Sequence, residues 1–254
     1  MRRSLADRGV TGTAALALRK TLSPDPTPSN VELQKEFQAR HPFDSLHGVE
    51  TSGLVFPEDL PSGRRSDLYN NGYFGIAPSV FRQILTRLEI NFRNYTFVDL
   101  GSGKGRALLL ASAFPFREIV GVELSPKLHA TAQENVARYR PPGQRCSKIE
   151  CIQGDAAEYR FPEGPFVLYM WNAFEGPVFE KAVSNLEASL ERAPREAYVL
   201  YVHPELDRRL TTSPFLRRLW CAEFEMSEED YAAYAFPPRA EICTAYRSVL
   251  RQRD

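Results

Sequence analysis

Between Thr96 and Val202, short apolar runs alternate with longer stretches whose apolar positions recur at helical spacing. The segment Thr96-Phe97-Val98-Asp99-Leu100 and residues 119–123, 166–170 and 198–202 are the apolar runs, a pattern that suits strands buried on both faces, and residues 149–153 read as a further, more polar strand. Residues 106–113, 126–139 and 178–190 carry the helical period. Ser125 followed by Pro126 reads as an N-cap and a first helical residue. Strands alternating with helices predict a parallel sheet covered on both faces. Upstream, Val80, Phe81, Ile84, Leu85 and Leu88 fall on one face of a further helix that starts near Pro78. Downstream, residues 219–224 and 242–249 read as two more strands, joined by an acidic, aromatic insert at 226–238. The expected fold is α/β, with five parallel strands, a terminal antiparallel pair and helices on both faces.

The first part of the chain lacks this period. Residues 1–30 hold one short candidate helix at 14–22 and close on the proline-rich Ser23-Pro24-Asp25-Pro26-Thr27-Pro28. Residues 31–68 mix aromatic and polar side chains without a period, as in Phe43-Asp44 and His47-Gly48-Val49-Glu50-Thr51. The chain is therefore divided into an N-terminal extension, 1–68, irregular or helical and partly mobile, and a main domain, 69–254. The extension is read as a layer on the main domain.

Composition narrows the function more than the fold. A chain of 254 residues with 43% hydrophobic and 25% charged residues suits one globular domain with an extension. Thirty-two Lys and Arg balance 32 Asp and Glu, so no global basic field points to nucleic acid and no net charge points to a membrane surface. The four cysteines, Cys146, Cys151, Cys221 and Cys243, form no Cys-x-x-Cys and no zinc spacing; they read as reduced thiols, and no metal is expected. No apolar run approaches membrane-spanning length, and the first residues do not follow a secretory signal pattern, so a cytoplasmic location is expected.

In an open parallel sheet, ligands bind beyond the carboxyl ends of the strands, where the winding reverses. Here every expected strand ends in polar residues or glycine. The first ends in Asp99 and the turn Gly101-Ser102-Gly103-Lys104-Gly105-Arg106; the second in Glu123; the third in Gly154-Asp155-Ala156; the fourth in Asn172-Ala173-Phe174; the fifth in His203-Pro204. The glycine spacing is G-x-G-x-G rather than the G-x-G-x-x-G of dinucleotide enzymes.

The run from Val98 to Arg106, followed by Gly121-Val122-Glu123-Leu124-Ser125-Pro126, resembles the class I S-adenosylmethionine (SAM)-dependent methyltransferases. Within that family it is similar to two lysine-modifying groups: the seven-strand, non-SET histone-lysine methyltransferases, and the mitochondrial-type lysine methyltransferases with a D-L-G-S-G-D-G-R motif. Both carry an aromatic loop and helix ahead of the first strand, where Tyr73-Phe74-Gly75-Ile76-Ala77-Pro78-Ser79 stands here. Met170-Trp171-Asn172-Ala173-Phe174 resembles the histone group's Asn-Asn-Phe-x-Phe signature, with Trp171 in place of the first Asn. The likeness covers residues 70–205, and the first 68 residues look instead like the leader of bacterial class I methyltransferases of unassigned substrate. The resemblance implies a Rossmann-like seven-stranded methyltransferase sheet, SAM as cofactor and S-adenosylhomocysteine (SAH) as product.

Each strand end then has an expected task. Asp99 accepts from the cofactor ammonium. Gly101, Ser102, Gly103 and Gly105 let the main chain approach the amino-acid part of SAM, and helix amides near Lys104 and Arg106 meet its carboxylate. Glu123 accepts from the ribose hydroxyls, Leu124 packs on adenine, and Asp155 with the Ala156 amide reads the adenine edge. Asn172 is expected to touch the cofactor and to orient an amine nucleophile through its carbonyl oxygen; its alternative is to cap the following helix. Phe174, or Trp171, favours the cationic transition state, and Tyr73 covers the cofactor or lines the acceptor channel. His203 reads as a surface histidine, with a general base as the alternative. The expected reaction is methyl transfer to an amine nitrogen, a protein lysine first and a small molecule second. An NAD-linked oxidoreductase and a SAM-binding protein without catalysis are the readings from other classes.

Overall fold

The computed structural model describes residues 41–234 and 239–250. The expected helix at 14–22, the proline-rich segment and residues 235–238 of the insert lie outside the described residues. Seven strands, β1 (Thr96–Leu100), β2 (Glu118–Glu123), β3 (Ile149–Gln153), β4 (Phe166–Trp171), β5 (Ala197–Val202), β6 (Leu216–Glu225) and β7 (Ala240–Ser248), form one sheet in the order β3-β2-β1-β4-β5-β7-β6. The pairs from β3 to β5 are all parallel. β7 slots between β5 and β6 and runs antiparallel to both. The expected sheet is the one formed.

β6 begins at Leu216 rather than at 219. It is an edge strand whose next two residues, Arg217 and Arg218, are exposed, and the register shifts between Arg218 and Trp220. Neither an apolar run nor a strict two-residue alternation marks that start.

Seven helices complete the described residues: α1 (Pro42–His47), α2 (Pro78–Thr86), α3 (Arg106–Ala111), α4 (Pro126–Arg138), α5 (Gly176–Arg192), α6 (Asp207–Thr211) and α7 (Glu228–Tyr234). Ser125 caps α4 as expected, its side chain accepting from the Leu128 amide. α3 stops short of the expected 113 because the Ser112 carbonyl accepts from the Arg145 and Cys146 amides at 2.7 and 3.0 Å, outside the helix.

Alternating strand residues feed two cores, one on each face of the sheet. Phe97, Val167, Tyr169, Tyr198 and Leu200 pack with α2 and α3 through Phe81, Ile84, Leu85 and Leu108. Val98, Leu100, Leu168, Met170, Val199 and Tyr201 pack with α5 through Val178, Phe179, Ala182, Val183 and Leu186. The α5 residues recur at the helical period. By the same alternation Asp99 stands on the face of Phe97 and Tyr169.

Part of the segment 41–75 joins the first core. Phe43 and Val49 belong to it. The fully buried Asp44 accepts from the Thr51 and Ser52 amides at 2.7 and 2.8 Å and from the Thr51 hydroxyl. The Arg106 guanidinium faces the same group: its Nε donates to Thr51 Oγ1 at 2.6 Å, one terminal nitrogen lies 3.7 Å from Asp44, and the other donates to the Gly75 carbonyl at 3.3 Å. Lys104 donates to Glu50 and to the Ser52 carbonyl, and Asn135 bonds both the amide and the carbonyl of Glu50.

Candidate functional site

A cleft opens over the carboxyl ends of β1, β2 and β4, where the strand order reverses on either side of β1. Its empty space, mouth included, is about 780 Å³, within the size range of small-molecule sites. The sheet side supplies Asp99, Gly101, Ser102, Gly103, Glu123, Leu124, Asp155 and Ala156. Tyr73, Phe74, Trp171 and Phe174 make an aromatic wall opposite. The strand ends that the sequence singled out thus converge on one cavity. Gly105 and Asn172 do not line it.

The glycine turn is held to β2. Gly101 and Ser102 donate their amides to the Val122 carbonyl at 2.8 and 3.0 Å, and the Gly103 amide donates to Glu123 at 2.8 Å. These three amides are therefore engaged within the fold, and the turn's contribution is close approach. A Cβ on Gly103, whose φ is +55°, would lie 2.3 Å from the Tyr73 ring. Gly105 sits at the N-cap of α3 with φ +85°, a conformation that glycine adopts at little cost.

Glu123 is buried, and its carboxylate accepts from the Gly103 and Ser125 amides. Burial raises its carboxyl above the usual range, and the amides of Ser125, Gly103 and Leu124 pull part of the way back. Asp99 is 3% exposed and lines the cleft; among the described residues no side-chain hydrogen bond to its carboxylate is seen. Burial, with the Glu123 charge beside it, pushes the Asp99 carboxyl well above the usual carboxylate range. Two carboxyls in one dry cavity suit a ligand that brings positive charge, and they oppose a pyrophosphate.

Asp155 is already bonded: it caps the short turn Ala156–Glu158 by accepting from the Ala157 amide at 2.9 Å, and it accepts from the Ser66 hydroxyl. Ser66 belongs to the turn Arg65–Tyr69 of the N-terminal layer, which is thereby tied to the strand end at Asp155. The layer also forms the rim beside β4. The Asn71 amide donates to the Ala173 carbonyl, and the Glu175 amide to the Tyr69 carbonyl, both at 2.9 Å. Leu60, Asn70, Asn71 and Phe74 line the cleft as well. The sequence reading missed them as site residues, although the run Gly72-Tyr73-Phe74-Gly75 marks where the chain turns back.

Three expectations change with the geometry. Arg106 borders the cleft, but its guanidinium is 2% exposed and spent on Asp44, Thr51 and Gly75. Asn172 adopts φ +39°, a left-handed turn that asparagine tolerates; its main-chain carbonyl accepts from Asn71 Nδ2 at 2.7 Å, and the residue is not part of the cleft lining. The helix-capping alternative is also not met, since Glu175 is the N-cap of α5. Instead, Trp171, where the resembled signature has asparagine, faces the cleft. His203 is not a free surface histidine: its Nε2 meets the buried Glu241 carboxylate, and its ring lies nearly parallel to Trp171, 21° apart with centroids 6.2 Å apart.

Among the described residues no helix is long and apolar enough to cross a membrane, and no group of three metal-binding side chains occurs. A family model described as a methyltransferase domain matches residues 97–193. Among curated proteins, none matches the chain. Among solved structures, one described as "Conversion of a Disulfide Bond into a Thioacetal Group during Echinomycin Biosynthesis" aligns at 12% identity and a TM-score of 0.50 over 70% of this chain and 84% of that one. A 23S rRNA methyltransferase, ErmE, aligns at 14% and 0.49 over 70% of each chain. The glycopeptide N-methyltransferase MtfA aligns at 14% and 0.48 over 69% and 96%.

Proposed function

We propose, on the premise that this chain is a class I SAM-dependent methyltransferase with its methyltransferase domain at residues 97–193, that it methylates an amine nitrogen, with a protein lysine as the first choice of acceptor. The observation that carries the cofactor assignment is the buried Asp99–Glu123 pair on the floor of the cleft. SAM carries a sulfonium and an ammonium, and supplies a methyl carbon open to attack by a nucleophile. Asp99 would accept from the ammonium, Glu123 from the ribose hydroxyls, and Leu124 and Ala156 would flank the adenine. The aromatic wall of Tyr73, Phe74, Trp171 and Phe174 would exclude water and favour a cationic nitrogen at its faces. We take residues 69–254 as the catalytic domain and residues 41–68 as a layer packed on it.

Two outcomes follow for the cofactor. Glu123→Ala weakens SAM binding by about 1–3 kcal/mol through lost hydroxyl contacts; calorimetric titration that finds unchanged affinity places the ribose elsewhere. SAM binding is also coupled to the ionisation of Asp99: its carboxyl is raised in the free protein and the incoming cation favours the ionised form, so affinity rises with pH through the titration of that group. Calorimetric titration over a pH series, in buffers of different ionisation heat, measures that coupling, and Asp99→Asn removes it.

The acceptor is tested by incubating the full chain with methyl-tritiated SAM and native lysate, then separating protein, nucleic acid and small molecules. The reading expects label in protein, recovered as methyl-lysine. Label confined to small amines favours the second reading, label in RNA overturns both, and binding without transfer marks a SAM-binding protein.

A further inference from the structure

Beside the aromatic wall stands a second group of residues that the cofactor reading leaves unused. His203 follows the last residue of β5 and faces the first residues of the antiparallel β7, and its amide donates to the Ile242 carbonyl at 2.9 Å. That pairing carries Glu241 to the imidazole, where its buried carboxylate meets Nε2. The other ring nitrogen, Nδ1, makes no hydrogen bond among the described residues, and the side chain is 24% exposed. The third member is Trp171, which lines the cleft on one side and lies along the imidazole. His203 also holds φ +51° immediately before Pro204, and Asn172, at the end of the neighbouring strand, holds +39°. Such strained non-glycine residues persist only where the surroundings enforce them.

A carboxylate on one nitrogen of an imidazole fixes the tautomer: the proton stays on that nitrogen and the lone pair is presented on the other. We infer that His203, oriented by Glu241 and standing beside Trp171 rather than in the cleft lining, is the general base that takes the acceptor's proton through one water at the Trp171 side of the cleft. This rests on the methyl-transfer reading above and adds the step that reading lacks. An amine reaches the site as an ammonium and has no lone pair to attack with. One N–H bond breaks, and its proton passes to His203 Nδ1. The freed lone pair forms the N–C bond to the methyl carbon as the C–S bond breaks, its electron pair staying on sulfur to give SAH. His203 then returns the proton to solvent, so one proton leaves per methyl transferred. The charged groups facing His203 are Glu241 from β7 and Glu205 from the turn after β5. Burial alone would lower the imidazole, but the hydrogen bond and charge of Glu241, with the charge of Glu205, raise it above its ordinary value. The base is neutral, and working, on the alkaline side of that raised value.

The test uses the full chain and does not depend on knowing the acceptor. SAM and SAH differ by one methyl and one positive charge at sulfur. In a histidine NMR titration, with the signal assigned by its loss in His203→Asn and with His47 as internal reference, the His203 pKa is lower in the SAM complex than in the SAH complex by about half a pH unit or more. Glu241→Gln lowers it in both complexes. In the tritium assay His203→Asn slows transfer by about 100-fold at neutral pH and flattens the acid limb of the rate profile, while SAM still binds. The same His203 pKa in both complexes, or an unaltered acid limb in His203→Asn, overturns this assignment alone. No transfer by the wild-type chain overturns the methyltransferase reading on which it rests.

Discussion

Replacing Arg106 with methionine destabilises the chain by about 3–5 kcal/mol, the cost expected when one partner of a buried ion pair is removed. Asp44 has no exposed surface, and its charge would lose the guanidinium that lies 3.7 Å from it. Thr51, Ser52 and the Gly75 carbonyl would lose donors at the same time. For a chain of this size, each kcal/mol corresponds to about 2–4 °C in melting temperature, so the shift is on the order of 10 °C. Arg106→Lys recovers little of it, because an ammonium cannot reach Thr51, Ser52, Asp44 and Gly75 with one planar fork. Chemical denaturation measures the loss, and amide exchange locates it: protection should fall first over residues 43–52. A loss below about 1 kcal/mol would show that Asp44 is satisfied by its amides and that Arg106 is dispensable.

Gly103→Val weakens SAM binding by at least about tenfold without unfolding the domain. The substitution places a branched side chain at φ +55°, costing about 1–2 kcal/mol in backbone strain alone. The new Cβ would also lie 2.3 Å from the Tyr73 ring, whose hydroxyl is anchored to the Thr51 carbonyl at 2.7 Å, so the ring has no free retreat. The turn must shift instead, and with it the Gly103 amide that orients Glu123. A loss of at least about tenfold in affinity follows from that amide alone. Gly103→Ala with Tyr73→Ala separates the two causes: relief of the clash restores affinity in part, while the strain at φ +55° remains. Full affinity in Gly103→Val would remove the turn from the site.

The strands and the floor of the site were legible in the sequence because burial on both faces forces apolar runs, and the first polar residue after each run marks its end. Asp99, Glu123 and Asp155 stand out by that contrast alone. The N-terminal layer was not legible. Its attachment is a buried pair between Asp44 and Arg106, far apart in the chain, and nothing local to either residue names the other. Arg106 looked like a ligand residue because it opens a helix, whereas its side chain runs back into the layer. Asn172 and Trp171 show a different limit. They are neighbours in a motif, and a left-handed turn decides which of them faces the cleft. His203 and Glu241 meet only because β7 pairs with β5 ahead of β6, an order that strand patterning does not encode.

The most direct test of the account is calorimetric titration of the full chain with SAM, with NAD as the comparison ligand. Saturable binding of one SAM per chain and no binding of NAD are expected. Saturable binding of NAD with no heat from SAM would contradict the account.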